Sequence, residues 1–86
     1  IFDESNFSSS NFTKAKLELA SAKKTDFAKA VFEHADLNRI NLFKGSLRRS
    51  NLLAADLRYS NLYGVDFYKS SMGQTDLTGA NLEQTL

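Results

Sequence analysis

No cysteine occurs anywhere in this chain, which excludes disulfide staples, thiolate chemistry and cysteine-ligated metal sites together. The absence leaves the redox compartment open, because a chain without cysteine suits a reducing cytosol and an oxidising space equally. Histidine is nearly absent too: His34 is the only one, and one histidine without cysteine assembles no zinc set. Glu33 and Asp36 lie close to it in sequence, but nothing places a nucleophile within reach of the imidazole. The four glycines, Gly45, Gly64, Gly73 and Gly79, are scattered, so no glycine-rich phosphate loop is encoded. No apolar run approaches the roughly 20 residues needed to cross a bilayer. The net charge is only +1, which gives no strong attraction to nucleic acid or membrane. Catalytic, cofactor and metal sites are therefore all expected to be lacking. At 86 residues the chain is one small domain, of a size at which a conventional core is marginal.

What the chain does have is a period of five. The residues Phe2, Phe7, Phe12, Leu17, Ala22, Phe27, Phe32, Leu37, Leu42, Leu47, Leu52, Leu57, Leu62, Phe67, Met72, Leu77 and Leu82 form one column, and sixteen of the seventeen are large and apolar. Of the nineteen Leu and Phe in the chain, only Leu19, Phe43, Leu53 and Leu86 fall outside it. Two positions before each member stands a small or β-branched residue, as in Ser50, Ala55, Ser60 and Val65. Between the two columns Asn or Asp recurs: Asn6, Asn11, Asp26, Asp36, Asn41, Asn51, Asp56, Asn61, Asp66, Asp76 and Asn81. The last two positions of each pentad vary freely and hold most of the charge.

A period of five matches neither the roughly 3.6-residue turn of a helix nor simple strand alternation. In extended chain, however, the large and small residues two apart share a face, and the Asn or Asp between them points outward. Its short side chain bonds nearby backbone where the chain turns. A turn every five residues winds the chain into a coil with a narrow apolar interior. Only Lys14 to Lys24 could pass for a helix, and there the phase is kept from Leu17 to Phe27, so a weak coil is expected instead.

The pattern of small residue, Asp or Asn, then Leu, seen in "AADLRYSNLYG" and "TDLTGANLEQT", resembles the pentapeptide-repeat family over essentially the whole chain. The resemblance implies an all-β fold, a right-handed quadrilateral β-helix with four repeats per coil. Residues twenty apart then stack, and slightly more than four coils make a rod about 20 Å long. Stacked repeats need caps, and neither end shows one. The chain opens on Ile1, and Leu86 cuts a repeat in its middle, so a segment of a larger protein is expected. Departures at Lys16, Ala22, Val31 and Ile40 put local regularity in question there, not the fold.

With twenty-residue stacking, Lys23, Lys24 and Lys44 lie on one side of the rod and Lys29, Arg48, Arg49 and Lys69 on the next, so that one corner gathers seven of the eleven positive charges. Phe43, Tyr63 and Tyr68 are interleaved with them. The candidate binding surface is thus Lys29, Phe43, Lys44, Arg48, Arg49, Tyr63, Tyr68 and Lys69. Three readings of it stand: a solvated face, a protein interface rich in Arg and Tyr, and a nucleic-acid site using phosphate contact and stacking. Nucleic acid is the least favoured. Asp36, Asp56 and Asp76 also stack, either as a cation site or as turn residues whose repulsion Arg39 and Arg58 offset. The sequons at Asn6 and Asn11 follow from the repeat itself.

The resulting expectation is a non-catalytic protein-binding or scaffold module of a bacterial effector or secretion-apparatus protein. The family resemblance also implies an alternative, a DNA-mimicking partner of gyrase, and a third role is an accessory domain beside a separate catalytic one. Self-association through an open coil end is conceivable, and the compartment is open. The column assignment predicts that Leu57→Ala costs about 2–5 kcal/mol, as for other buried leucines, and Arg58→Ala far less. Urea unfolding of both variants checks this, and the reverse order would refute the assignment.

Overall fold

The structure is a computed structural model describing residues 1–86. It contains no helix and no extended strand, only isolated parallel bridges that join residues twenty apart: Asn6 to Asp26, Asp26 to Ser46, Asp36 to Asp56, Asn41 to Asn61 and eight others of the same spacing. A turn follows each bridge position. The chain therefore winds as a β-helix in which each residue lies over the one twenty before it. Lys14 to Lys24 keeps this pattern without a helical turn. No helix is long and apolar enough to cross a membrane.

The backbone hydrogen bonds explain why the pentad has its composition. Sixteen close turns, from the N–H of the small residue to the carbonyl of the large residue three before it, as in Ala35 to Phe32 at 3.0 Å and Ser60 to Leu57 at 3.2 Å. All the others join successive coils, as Leu57 N–H to Asp76 O at 2.9 Å and Asp56 N–H to Ala35 O at 3.0 Å. Together these occupy four of the five N–H groups of a pentad. The fifth, on the residue after the large one, is met by a side chain. All eleven Asn and Asp of the outward column accept that bond through Oδ1, at 2.8–3.1 Å. Burying a polar backbone without partners is costly, so the outward column completes the wall.

The residue after that one takes a left-handed backbone in every repeat. Fifteen non-glycine residues, from Glu4 to Gln84, and Gly64 and Gly79 all have φ between 55° and 71°. A positive φ at the third residue of a β-turn is the type II requirement that normally selects glycine, and for other residues it costs on the order of 1 kcal/mol or more. The cost is tolerated because the N–H of this residue is tied to the next coil, as Lys44 to Tyr63 O at 2.7 Å and Arg49 to Tyr68 O at 2.8 Å. Gly79 has a second reason to be glycine: a Cβ there would stand 2.5 Å from the Tyr59 ring of the coil before it.

Inside, five phenylalanines fill the first two coils. Rings one pentad apart meet edge to face, as Phe27 and Phe32 at 5.3 Å, and rings one coil apart lie parallel, as Phe12 and Phe32 at 5.2 Å. Leu and Ile take over from Leu37 onward, and residues 22 to 65 hold all the fully buried side chains. The large residues of the first and last coils are only half-buried, and Leu82 is exposed. The extents, 27 × 24 × 23 Å, describe a block about as wide as tall rather than a slender rod.

The expected irregularities are confined. The turn that starts at Ala22 is the one turn of seventeen without its N–H to carbonyl bond; the Thr25 hydroxyl bonds the Phe2 carbonyl of the previous coil instead. Ile40 sits buried in the small column with its turn intact, 3.1 Å from Leu37 O. Ser21, which replaces Asn, is served from below by Asp3, whose Oδ1 accepts from Ser21 Oγ at 2.7 Å and from Lys23 N–H at 3.0 Å. At Val31 no side-chain acceptor exists for the Glu33 N–H. Val31→Asn supplies one and extends the amide column between Asn11 and Asn51. It is expected to stabilise by about 1 kcal/mol, or roughly 4–8 °C in a thermal melt. A lower melting temperature would show that this fifth N–H does not matter.

Candidate functional site

The most exposed side chains project from the turns, because the two turn residues stand outside the hydrogen-bonded wall. Successive turns stack, so each corner carries a vertical row. One corner bears Asp3, Lys23, Phe43 and Tyr63 with Glu4, Lys24 and Lys44 beside them. The next bears Ala28, Arg48 and Tyr68 with Lys29, Arg49 and Lys69. The strip between the two carries Asp26, Ser46 and Asp66, joined by parallel bridges. The seven cations expected at one corner thus occupy two corners with an acidic strip between them. Phe43, Lys44 and Tyr63 fall on the first, and Lys29, Arg48, Arg49, Tyr68 and Lys69 on the second.

The aromatic rings are not free platforms. Phe43 and Tyr63 stack on each other at 5.3 Å and 14°, both half-buried, and the Lys44 ammonium sits 5.4 Å from the Phe43 ring. Tyr68, 47% exposed, has the Arg48 guanidinium 4.6 Å over its ring and Lys69 5.4 Å away. Such contacts restrain long side chains that are otherwise mobile. Arg48 is held further by Asp66, with Nη1 2.8 Å from Oδ2. That hydrogen bond, aided by the one from the Tyr68 N–H, keeps the Asp66 carboxyl below the usual carboxylate range and raises Arg48 above its own. At the amino-terminal end of the first corner, Asp3, Glu4, Lys23, Lys24 and Phe43 line an open recess of about 260 Å³, with Lys23 Nζ 3.9 Å from Asp3.

Asp36, Asp56 and Asp76 do stack, and each accepts the backbone bond of its own turn. Arg58 offsets their repulsion, bonding Asp56 through Nε and Nη2 at 2.9 Å each and reaching Asp76 at 4.0 Å. Arg39, expected to help, does not: its guanidinium donates to Asn38 Oδ1 at 2.8 Å and lies 4.8 Å over the Tyr59 ring. Stacking on the next coil's Tyr59 draws it away from the carboxylates. His34 stands exposed on a turn. The site residue that the pattern missed is Asp3, because its partners lie a full coil away and it occupies a freely varying position.

The comparisons with known proteins agree with this architecture. The family model for pentapeptide repeats matches in eight copies, over residues 5–42, 35–74 and 46–84. No curated protein matches the chain. A pentapeptide-repeat protein of the cyanobacterium Cyanothece 51142 superposes with a TM-score of 0.90 at 28% identity, covering 94% of this chain and 56% of that one. One from the Arabidopsis thaliana thylakoid lumen gives 0.51 at 19% identity, covering 98% and 62%. A plasmid-mediated fluoroquinolone resistance protein gives 0.48 at 18%, covering 96% and 53%. The chain thus spans between half and two thirds of the length of these relatives. The fold shared with the first two is the right-handed β-helix of pentapeptide-repeat proteins.

A carboxylate held below its ordinary value of 3.8 stabilises the fold above that value, and the contribution is lost as pH falls through the depressed one. Asp3, Asp56 and Asp76 are lowered as well, chiefly by hydrogen bonds from Ser21, Arg58 and Thr78. The urea midpoint is therefore expected to drop between about pH 5 and pH 2, and Asp66→Asn to make the drop smaller. An equal drop in that variant would remove the Arg48 pair from the account.

Proposed function

The chain belongs to the pentapeptide-repeat family, and on that premise we propose that it is a non-catalytic protein-binding or scaffold module acting as one unit over residues 1–86. The four bridge-and-turn repeats in every twenty residues are read as the four sides of a quadrilateral coil, with slightly more than four coils in the stack. The observation that carries the binding role is the state of the two basic corners. Arg48 and Tyr68 are exposed yet already restrained, by Asp66 on Arg48 and by Arg48 on Tyr68, and the half-buried Phe43 is held by Tyr63. A surface ordered before contact loses little conformational entropy on binding, and Arg and Tyr are the residues that protein interfaces favour.

A bacterial effector or secretion-apparatus protein is the setting this reading favours, and an accessory role beside a separate catalytic domain is compatible with it. The alternative of a DNA-mimicking gyrase partner calls for a negatively charged rod. This chain has a net charge of +1 and basic corners, which count against it.

The test is a pull-down with the tagged protein from cells, comparing the unaltered chain with Arg48→Glu/Arg49→Glu/Tyr68→Ala and with Lys14→Glu/Lys16→Glu as a charge control. A partner lost at least tenfold from the triple variant and kept by the control supports the reading. An identical set of partners from all three chains would make the corners solvated surface and overturn it.

A further inference from the structure

Five cations on the two basic corners have no acidic partner. The ion pairs of the molecule engage Lys23, Arg48 and Arg58, leaving Lys24 and Lys44 in one row and Lys29, Arg49 and Lys69 in the other. All five occupy the left-handed position of their turns, with φ of 55–61°, and all five are exposed. Within each row they stack one coil apart, at a spacing of roughly 4.8 Å. Like charges so placed on neighbouring strands repel, and nothing in the turn requires them: Ala54, Gln74 and Gly79 hold the same position elsewhere.

We infer that the two rows form a cradle for an extended, acidic protein segment lying along the strip between them. This rests on the binding role proposed above and specifies its partner. An extended chain sends alternate side chains to opposite sides, so a run of Asp or Glu along the strip meets one row with its odd residues and the other with its even ones. Along the strip itself the backbone is already paired between coils, the Ser46 hydroxyl keeps its own O–H to donate while its oxygen accepts from the Arg48 N–H, and Asp66 is already neutralised by Arg48.

The geometry favours a protein segment over nucleic acid. Binding a single strand relies on open aromatic faces for base stacking, whereas Phe43 and Tyr63 cover each other and Tyr68 is covered by Arg48.

The test uses a fluorescein-labelled octaglutamate peptide, with octathymidylate as the comparison, in anisotropy titrations of the whole chain at low and physiological salt. The peptide is expected to bind, more weakly as salt rises. Each exposed charge pair contributes modestly, so Lys29→Glu/Arg49→Glu/Lys69→Glu together should weaken binding about tenfold or more. The control Lys14→Glu/Lys16→Glu/Arg39→Glu changes net charge equally on the opposite side, at two corners and the strip between them, and should weaken it much less. Equal weakening by both variants would reduce the effect to net charge and overturn the cradle, as would the absence of peptide binding or tighter binding of octathymidylate. If the peptide fails to bind while the pull-down still loses a partner, the binding role stands and its acidic partner falls. If neither responds, both fall.

Discussion

One backbone N–H in every five finds no carbonyl, and the remainder of the wall is arranged around the acceptor supplied to it. Close turns and bonds between coils use the other four N–H groups of each pentad. The outward Asn or Asp takes the fifth through Oδ1, eleven times over. A net contribution of about 1 kcal/mol for each such bond is comparable with the cost of the left-handed residue that follows it. The turn is thus held on one side by its own side chain and on the other by the next coil. Where the outward residue is not Asn or Asp, the structure uses a hydroxyl, as Ser46 Oγ accepts from the Arg48 N–H at 3.3 Å, borrows an acceptor, as Asp3 serves Ser21 and Lys23, or goes without, as at Val31.

The same arrangement determines what the surface can be. A turn residue outside the hydrogen-bonded wall is free in identity and projects from the corner, so chemistry gathers there. Because coils repeat every twenty residues, chemistry that recurs at that spacing becomes a row. Three such rows are ordered here by unlike means. Arg58 bridges two stacked aspartates, Arg39 lies on Tyr59 in the next coil, and Arg48 is fixed between Tyr68 and Asp66. The basic rows of Lys24 and Lys29 are left without such neutralisation, and their exposure is a property of the turn position rather than of the lysines.

Much of the fold was legible because its rules are local. The large, small and outward columns each answer to a five-residue unit, so Phe32, Ala35 and Asp36 could be assigned without knowing what surrounds them. The weak turn at Ala22 was legible on the same ground, since a missing large side chain interrupts a column. The left-handed residues were not. Glycine and asparagine normally mark such positions, and here Lys, Arg and Gln stand in most of them, held by hydrogen bonds to a coil that lies a full turn away.

The candidate site divides along the same line. Its membership, from Lys29 to Lys69, could be read from the sequence once residues twenty apart were taken to stack. Its electrostatics could not: the capture of Arg48, the withdrawal of Arg39 from the aspartates and the role of Asp3 all join residues 18 to 20 apart. The sequence by itself determined the repeat, the inward columns and the outward Asn or Asp that serves each turn, because those answer to a pattern within a pentad. Only the tertiary structure decided which charges are paired and which are left over, because pairing depends on distances between coils that no local pattern records.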